Sequence, residues 1–343
     1  MKTRTFQFAK YGPPTDVLKL TEQELPAPGP GQALVKIKAV GLNRSESNYV
    51  QGRYIPAREF PSGIGQEAVG EILMLGPPAD EGPAANAATP LTIGARVALL
   101  PGRVDICGMG AYREVGLYDQ AALAPVPDDF SDAEGAAYWM GILTMGGCLE
   151  MAGLTPDNTR GKKVLITAAT SSMGIIALKL ARAWGAETFA TSRSADKAKA
   201  LEAVADHVIV CGDSDSLIAG VNAATDDHGV DVALDPLGAD YYAGLFAVTA
   251  NGGDIVSYEM ITGPVASVPI ATLMINDLSI HGFTIFRVYK KPGLLDTLIR
   301  WGMEYSDRVR PIVSKTFPLI DAPAALAEMV EAKHVGKLVL LVE

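Results

Sequence analysis

From Lys163 onward the chain alternates near-continuous apolar runs with amphipathic stretches, and this rhythm restricts the possible fold more than any other feature. VLITAAT at 164–170, TFATS at 188–192, HVIV at 207–210, VDVALD at 230–235 and GDIVSY at 253–258 read as strands. Helices are expected between them over Ile175–Trp184 and Asp196–Val204. Strands that are apolar on both faces need cover on both faces, so the pattern predicts an α/β chain with a doubly wound parallel sheet. The first 125 residues or so read as short strands instead. Ala33–Val40 alternates apolar and polar at period two, as a strand with one wet face should, and Ala68–Leu75 and Arg96–Leu100 are shorter candidates. Asp132–Leu149 reads as one helical segment, with further helices over Leu294–Tyr305 and Ala322–Ala332. The closing KLVLLV reads as a strand returning to the first domain, and the Pro/Ala/Gly-rich stretch 76–90 as a surface loop.

Composition narrows the functions. Over 343 residues, 29 Lys and Arg face 39 Asp and Glu, a formal net charge of −10 with no basic block. That argues against nucleic acid or an anionic membrane as the main partner. The longest uncharged stretch, Met260–Asn276, is interrupted by Pro264 and Pro269 and predicts no transmembrane helix. The N-terminus has no apolar signal-peptide core, so a cytosolic protein is expected. Cys107, Cys148 and Cys211 are far apart, which excludes a disulfide framework or a cysteine-rich zinc site.

The strand at 164–170 runs directly into Ser171-Ser172-Met173-Gly174 and a helix. A small-residue turn in that context presents backbone N–H groups and a helix dipole to a pyrophosphate. The glycine fingerprint reads here as Ala169-x-Ser171-x-x-Gly174. The next strand ends on Ser192 and Arg193, and Arg193 stands 19 residues after Gly174, where an NAD-preferring fold carries Asp or Glu. Arg193, with Ser192 and Lys197, can pair with a 2′-phosphate, so NADPH is the expected cofactor.

These residues, together with PAPGPGQALVKIKAVGLNRSE, GRY at 52–54, PSGIGQEAVGEI at 61–72, IGARVALL, AAYWMGILTMGG and GKLVLLVE, resemble the medium-chain dehydrogenase/reductase superfamily in its zinc-free quinone-oxidoreductase and enoyl-reductase branch. The resemblance implies a GroES-like β-rich catalytic domain over 1–125, completed by 291–343. It implies a Rossmann domain over 126–290 and an active site in the cleft. Zinc-using relatives carry Cys in G-x-C-x-x-[DS] and His in G-H-E. Here Asn43 and Gln66 hold those places, so no metal is expected.

What the resemblance implies for single residues follows. Tyr54 matches a tyrosine that faces the nicotinamide and supplies a proton, and Asn43 matches an asparagine beside the same pocket. Glu46 matches an acidic position that braces the pocket wall. Thr144 matches a threonine beside the nicotinamide, and Phe283 and Thr284 match a segment running past its carboxamide; Ser257 and Tyr258, read from the sequence itself, stand at the C-terminal end of a strand, where ligands bind in such sheets. Tyr138, Trp139 and Met140 could line a slot for a flat substrate or pack as a buried helix. DLSIHG resembles an edge strand through which such enzymes pair, implying a homodimer. The expected activity is metal-free hydride transfer from NADPH to an activated C=C or a quinone. A zinc-free carbonyl reductase and a non-catalytic NADPH-binding protein stay open as alternatives.

Overall fold

The computed structural model describes residues 1–79 and 91–343, and positions 80–90 of the expected surface loop lie outside the described residues. The chain forms two compact units, Met1–Met140 with Pro311–Glu343, and Gly141–Arg310. In chain order the first unit holds strands β1 (Lys2–Gln7), β2 (Lys19–Glu24), β3 (Gln32–Gly41), β4 (Ala68–Leu75), β5 (Arg96–Leu99), β6 (Val115–Asp119) and β7 (Leu123–Ala124). The second holds β8 (Lys163–Ile166), β9 (Glu187–Ser192), β10 (His207–Val210), β11 (Val230–Asp235), β12 (Thr249–Ser257) and β13 (Ser279–Gly282). The chain then returns to the first unit with β14 (Val313–Pro318) and β15 (Lys337–Leu341). Among the described residues no helix is long and apolar enough to cross a membrane.

In the first unit the main sheet runs β14-β15-β3-β4-β5-β7, with β6 also on β3, while β1 and β2 form a separate antiparallel pair. The closing strand does return, pairing antiparallel with the end of β3. Strand β3 differs from expectation in having no wet face. Ala33, Val35 and Ile37 enter the main core with Phe6, Phe8 and Ile64. Leu34, on the other face, joins a smaller cluster with Leu25, Val115 and Leu117. Only Lys36 and Lys38 along its inner length stay half-buried, because long side chains can bury their stems and keep their ammonium groups wet.

The second unit has an all-parallel sheet in the order β10-β9-β8-β11-β12-β13. The order reverses between β8 and β11, and in such sheets ligands bind beyond the strand C-termini at that point. Several expected bounds shift for local reasons. Strand β8 stops at Ile166, short of residue 170, and Ala168 takes a left-handed φ of 48°. The following helix starts early, at Ser172, because Ser171 caps it. The expected helix over 132–149 is two pieces, Asp132–Gly135 and Trp139–Met151, and that over 196–204 is a turn of α-helix followed by a 3-10 turn. The chain is thus α/β, a β-rich unit plus a doubly wound parallel-sheet unit, the class that the apolar rhythm implied.

Candidate functional site

The turn after β8 is built to hold the start of a helix close against the sheet. A Cβ on Gly174 would lie 2.6 Å from both Cα and O of Ala169, so only glycine allows this approach. Ser171 Oγ accepts from Gly174 N–H at 3.0 Å, and Ser171 O accepts from Ile175 N–H. This leaves the N–H groups of Ser172 and Met173 aimed along the helix axis at its positive end. Ala169 is fully buried beneath them.

Strand β9 ends beside this turn. Ser192 is buried, and its Oγ donates to Ser194 O (3.0 Å) while accepting from Ser194 N–H (3.2 Å), which fixes the turn that carries Arg193. Arg193 is exposed and Lys197 half-buried. Burial and the neighbouring Arg193 charge both hold the Lys197 ammonium below its ordinary value. Two cations that repel one another at the C-terminal edge of a parallel sheet form a place for an anion. Tyr241 was not foreseen. Its hydroxyl donates to Gly212 O at 2.7 Å, and its phenol is pushed up by burial with Arg193 opposing, which places it beside the same corner.

Beyond β11, Asp235 is fully buried, bonded to the Thr167 hydroxyl and accepting from Gly238 N–H at 2.7 Å. It holds the loop in which Gly238 and Ala239 take left-handed φ values of 76° and 38°. Ser257 is half-buried near the Tyr242 phenol, which burial pushes up with Ser257 opposing. The Tyr258 hydroxyl points inward, is enclosed without a hydrogen-bond partner among the described residues, and is driven well above its ordinary value by burial. Phe283 is buried with its ring 2.6 Å from where a Gly147 Cβ would stand, while Thr284 is exposed and Thr144 half-buried.

In the first unit a polar centre stands inside the apolar core. Asn43 is buried as the cap of helix Arg44–Val50. Its Oδ1 accepts from Lys337 Nζ at 2.7 Å, and its Nδ2 donates to Gly41 O at 3.2 Å. Lys337, with 1% of its side chain exposed, also lies 2.9 Å from Glu67 Oε2, and Glu67 Oε1 accepts from Met140 N–H at 2.7 Å. Glu46 accepts from Asn43 N–H (3.0 Å), Gln66 N–H (2.9 Å) and the Tyr112 hydroxyl (2.9 Å). Burial pushes its carboxyl up to about 7, against the pull of those donors and of Lys337. Of this centre Asn43, Glu46 and Gln66 were singled out from the sequence, and Lys337, Glu67 and Tyr112 were not. Lys337 and Glu67 carried a signal, a charge at the entry of the strand segments KLVLLV and EAVGEI.

Zinc does not fit this donor set. Asn43 Oδ1 already accepts from an ammonium, Gln66 presents an amide whose Nε2 donates to Ser45 Oγ at 3.0 Å, and Glu67 is ion-paired to the same lysine. Among the described residues no three His, Cys, Asp or Glu side chains are grouped to hold a metal.

Tyr54 lies four residues beyond helix Arg44–Val50 and is 41% exposed. It follows Gly52, whose left-handed φ of 69° keeps the turn against the Tyr11 ring. Tyr138 and Trp139 are buried, edge-on to each other, with Tyr138 also against Phe130; Trp139 Nε1 donates to Pro125 O at 2.9 Å. Met140 is 9% exposed. All three side chains are thus packed within the first unit.

Comparison with known proteins agrees with the geometry. Residues 29–128 match the alcohol dehydrogenase GroES-like domain, and residues 172–300 match the zinc-binding dehydrogenase family. A quinone oxidoreductase of Pseudomonas aeruginosa is 27% identical over 98% of this chain and 99% of its own. One from Salmonella typhimurium is 30% identical over 80% of this chain and 77% of its own. A mycobacterial protein solved in complex with NADPH superposes with a TM-score of 0.84 at 27% identity, covering 98% of this chain and 99% of that one. With a β-rich unit and a parallel-sheet unit that match these two family descriptions, the chain belongs to the medium-chain dehydrogenase/reductase superfamily, in its quinone oxidoreductase-like branch.

Proposed function

We propose that the chain is an NADPH-dependent reductase that works without a metal on an activated C=C, as in an α,β-unsaturated carbonyl, or on a quinone. The observation that carries the cofactor assignment is the Arg193–Lys197 pair at the end of β9, where a ribose-binding carboxylate would otherwise stand. The pyrophosphate is held by the N–H groups of Ser172 and Met173, and the 2′-phosphate by Arg193 and Lys197. Thr144, Ser257, Tyr258, Phe283 and Thr284 border the rest of the dinucleotide, through backbone groups at Tyr258 and Phe283, whose side chains turn inward. NADPH supplies the hydride when bound.

The remaining work falls to the first unit. Asn43 offers its second Nδ2–H to the substrate's carbonyl oxygen, where negative charge develops. Tyr54, exposed on its turn, gives the phenolic proton to the α-carbon. The amide donor set around Lys337 supports a metal-free reaction. We extend the proposal to a homodimer, supported by β13 as the outer strand of its sheet and by the exposed Met274, Ile275 and Ile280 at that edge.

The test is NADPH consumption with an enone, a quinone and a saturated ketone, each with product identification. Turnover of the enone to a saturated carbonyl, or of the quinone to its hydroquinone, is the expected result. Turnover of the ketone alone would replace the proposal with carbonyl reduction, and NADPH binding without any turnover would overturn it. Alongside it, Arg193→Ala should weaken NADPH by roughly tenfold or more, one to two charge-assisted bonds, and leave NADH nearly unchanged. Equal loss for both cofactors would remove Arg193 from the phosphate site.

A further inference from the structure

The buried lysine does more than balance a carboxylate. We infer that Lys337 is a positioning residue that polarises the Asn43 carboxamide and aims its free Nδ2–H, making an ordinary amide into a strong donor for the developing oxyanion. The inference rests on the proposed role of Asn43 in the reduction.

Four observations carry it. First, the ammonium sits 2.7 Å from Asn43 Oδ1, and because an ammonium only donates, the carboxamide can stand in just one of its two orientations. Second, one Nδ2 hydrogen is spent on Gly41 O at 3.2 Å, which fixes the direction of the other. Third, the whole array is dry: Lys337 and Glu67 each have 1% of the side chain exposed, so the charge is not screened by water. Fourth, Gly41 leaves no slack. A Cβ there would meet Ala136 O at 2.1 Å, and Glu67 Oε2 and Lys337 Cε at 2.9 Å. Donation of a charged hydrogen bond to an amide oxygen draws electron density from its nitrogen, and the N–H groups become better donors in turn. Lys337 itself touches no substrate. An ammonium countered by the fixed Glu67 carboxylate and not by water therefore acts one amide away from the reacting oxygen, a place to which a solvent-exposed lysine could not bring it.

The direct readout is the side-chain amide of Asn43, one of seven asparagines, in protein labelled with 15N-asparagine and assigned through Asn43→Ser. In the native chain its Nδ2 protons should resonate downfield and its C–N rotation should be slow. Both should relax toward ordinary values in Lys337→Met/Glu67→Gln, a variant that keeps the interior charge balanced. In that double variant kcat with a carbonyl-bearing acceptor should fall roughly tenfold, part of the cost of losing an oxyanion donor, with KM and NADPH affinity held. Lys337→Arg should recover part of the rate. A folded double variant with an unchanged Asn43 resonance, or with native kcat, overturns the inference. Should the double variant fail to fold, Lys337→Arg alone decides through the same resonance, since a guanidinium that still donates to Oδ1 must keep it downfield. If the native chain turns over no acceptor, the proposed function fails while the amide resonance still judges the lysine.

Discussion

Glu46 lies in the short helix Arg44–Val50 and Tyr54 on the turn beyond it, and they differ in what can be asked of them. Tyr54 is exposed, so removing its hydroxyl should leave the fold intact. Tyr54→Phe is expected to lower kcat for alkene reduction by roughly 10²-fold, within the usual contribution of a proton donor, without changing NADPH affinity. Steady-state kinetics beside a binding titration checks both halves, and native turnover would exclude it as the proton source. Glu46 is enclosed, and its carboxyl titrates near 7 in the folded chain against an ordinary value of 4.5. The native state therefore keeps a proton that the unfolded chain releases between those values. Its contribution to stability is full below pH 4.5 and is lost as pH rises through 7. Glu46→Gln should flatten denaturant-measured stability across this window by up to about 1.4 kcal/mol per pH unit. An unaltered slope would assign the pH dependence elsewhere.

Among the elements, the helix Ser172–Ala183 depends on a single missing side chain. Gly174→Ala sets a methyl group against the Ala169 backbone, which cannot give way as a side-chain tip would. The helix must lift from β8, at a cost of about 1–3 kcal/mol, and the cofactor should bind more weakly because its N–H groups move with the helix. Thermal unfolding and an NADPH titration report the two effects. This element was readable in the sequence because its determinants are local: an apolar run, small residues and a capping serine lie within a dozen positions. Strands β1 and β2 gave no such signal, since KTRTFQ and KLTEQE are mostly polar and pair only with each other in their sheet. The polar centre was legible in halves. Asn43 and Glu46 stood out through the motif that contains them, whereas Lys337 gains its meaning only when β15 pairs with β3. Tyr241 was missed for the same reason, because its relation to Gly212 depends on two loops brought together by the sheet.

For the whole molecule, the proposed homodimer places its contact at the outer edge of the parallel sheet. Strand β13 ends the sheet with Ile280 37% exposed, and Met274 and Ile275 just before it are 75% and 79% exposed. Apolar side chains beside unpaired backbone groups favour a second strand. Sedimentation of the native chain should give twice the 36.1 kDa chain mass. Ile280→Lys should give the single-chain mass, with NADPH binding retained because the phosphate turn lies on other strands. A native monomer would remove the dimer from the proposal.

The lysine that completes the polar centre comes 294 residues after the asparagine it serves. During synthesis Glu67 leaves the ribosome long before the ammonium that pairs with it, and the edge of β3 that will receive β15 stands open. Closing a core around Glu67 before its partner arrives would cost several kcal/mol. The strands of the parallel sheet, in contrast, all lie between Lys163 and Gly282 and need nothing from either end. The nascent chain is thus set to mature from its middle outward, its nucleotide-type unit folded while the opening segment waits for the last strand to seal it.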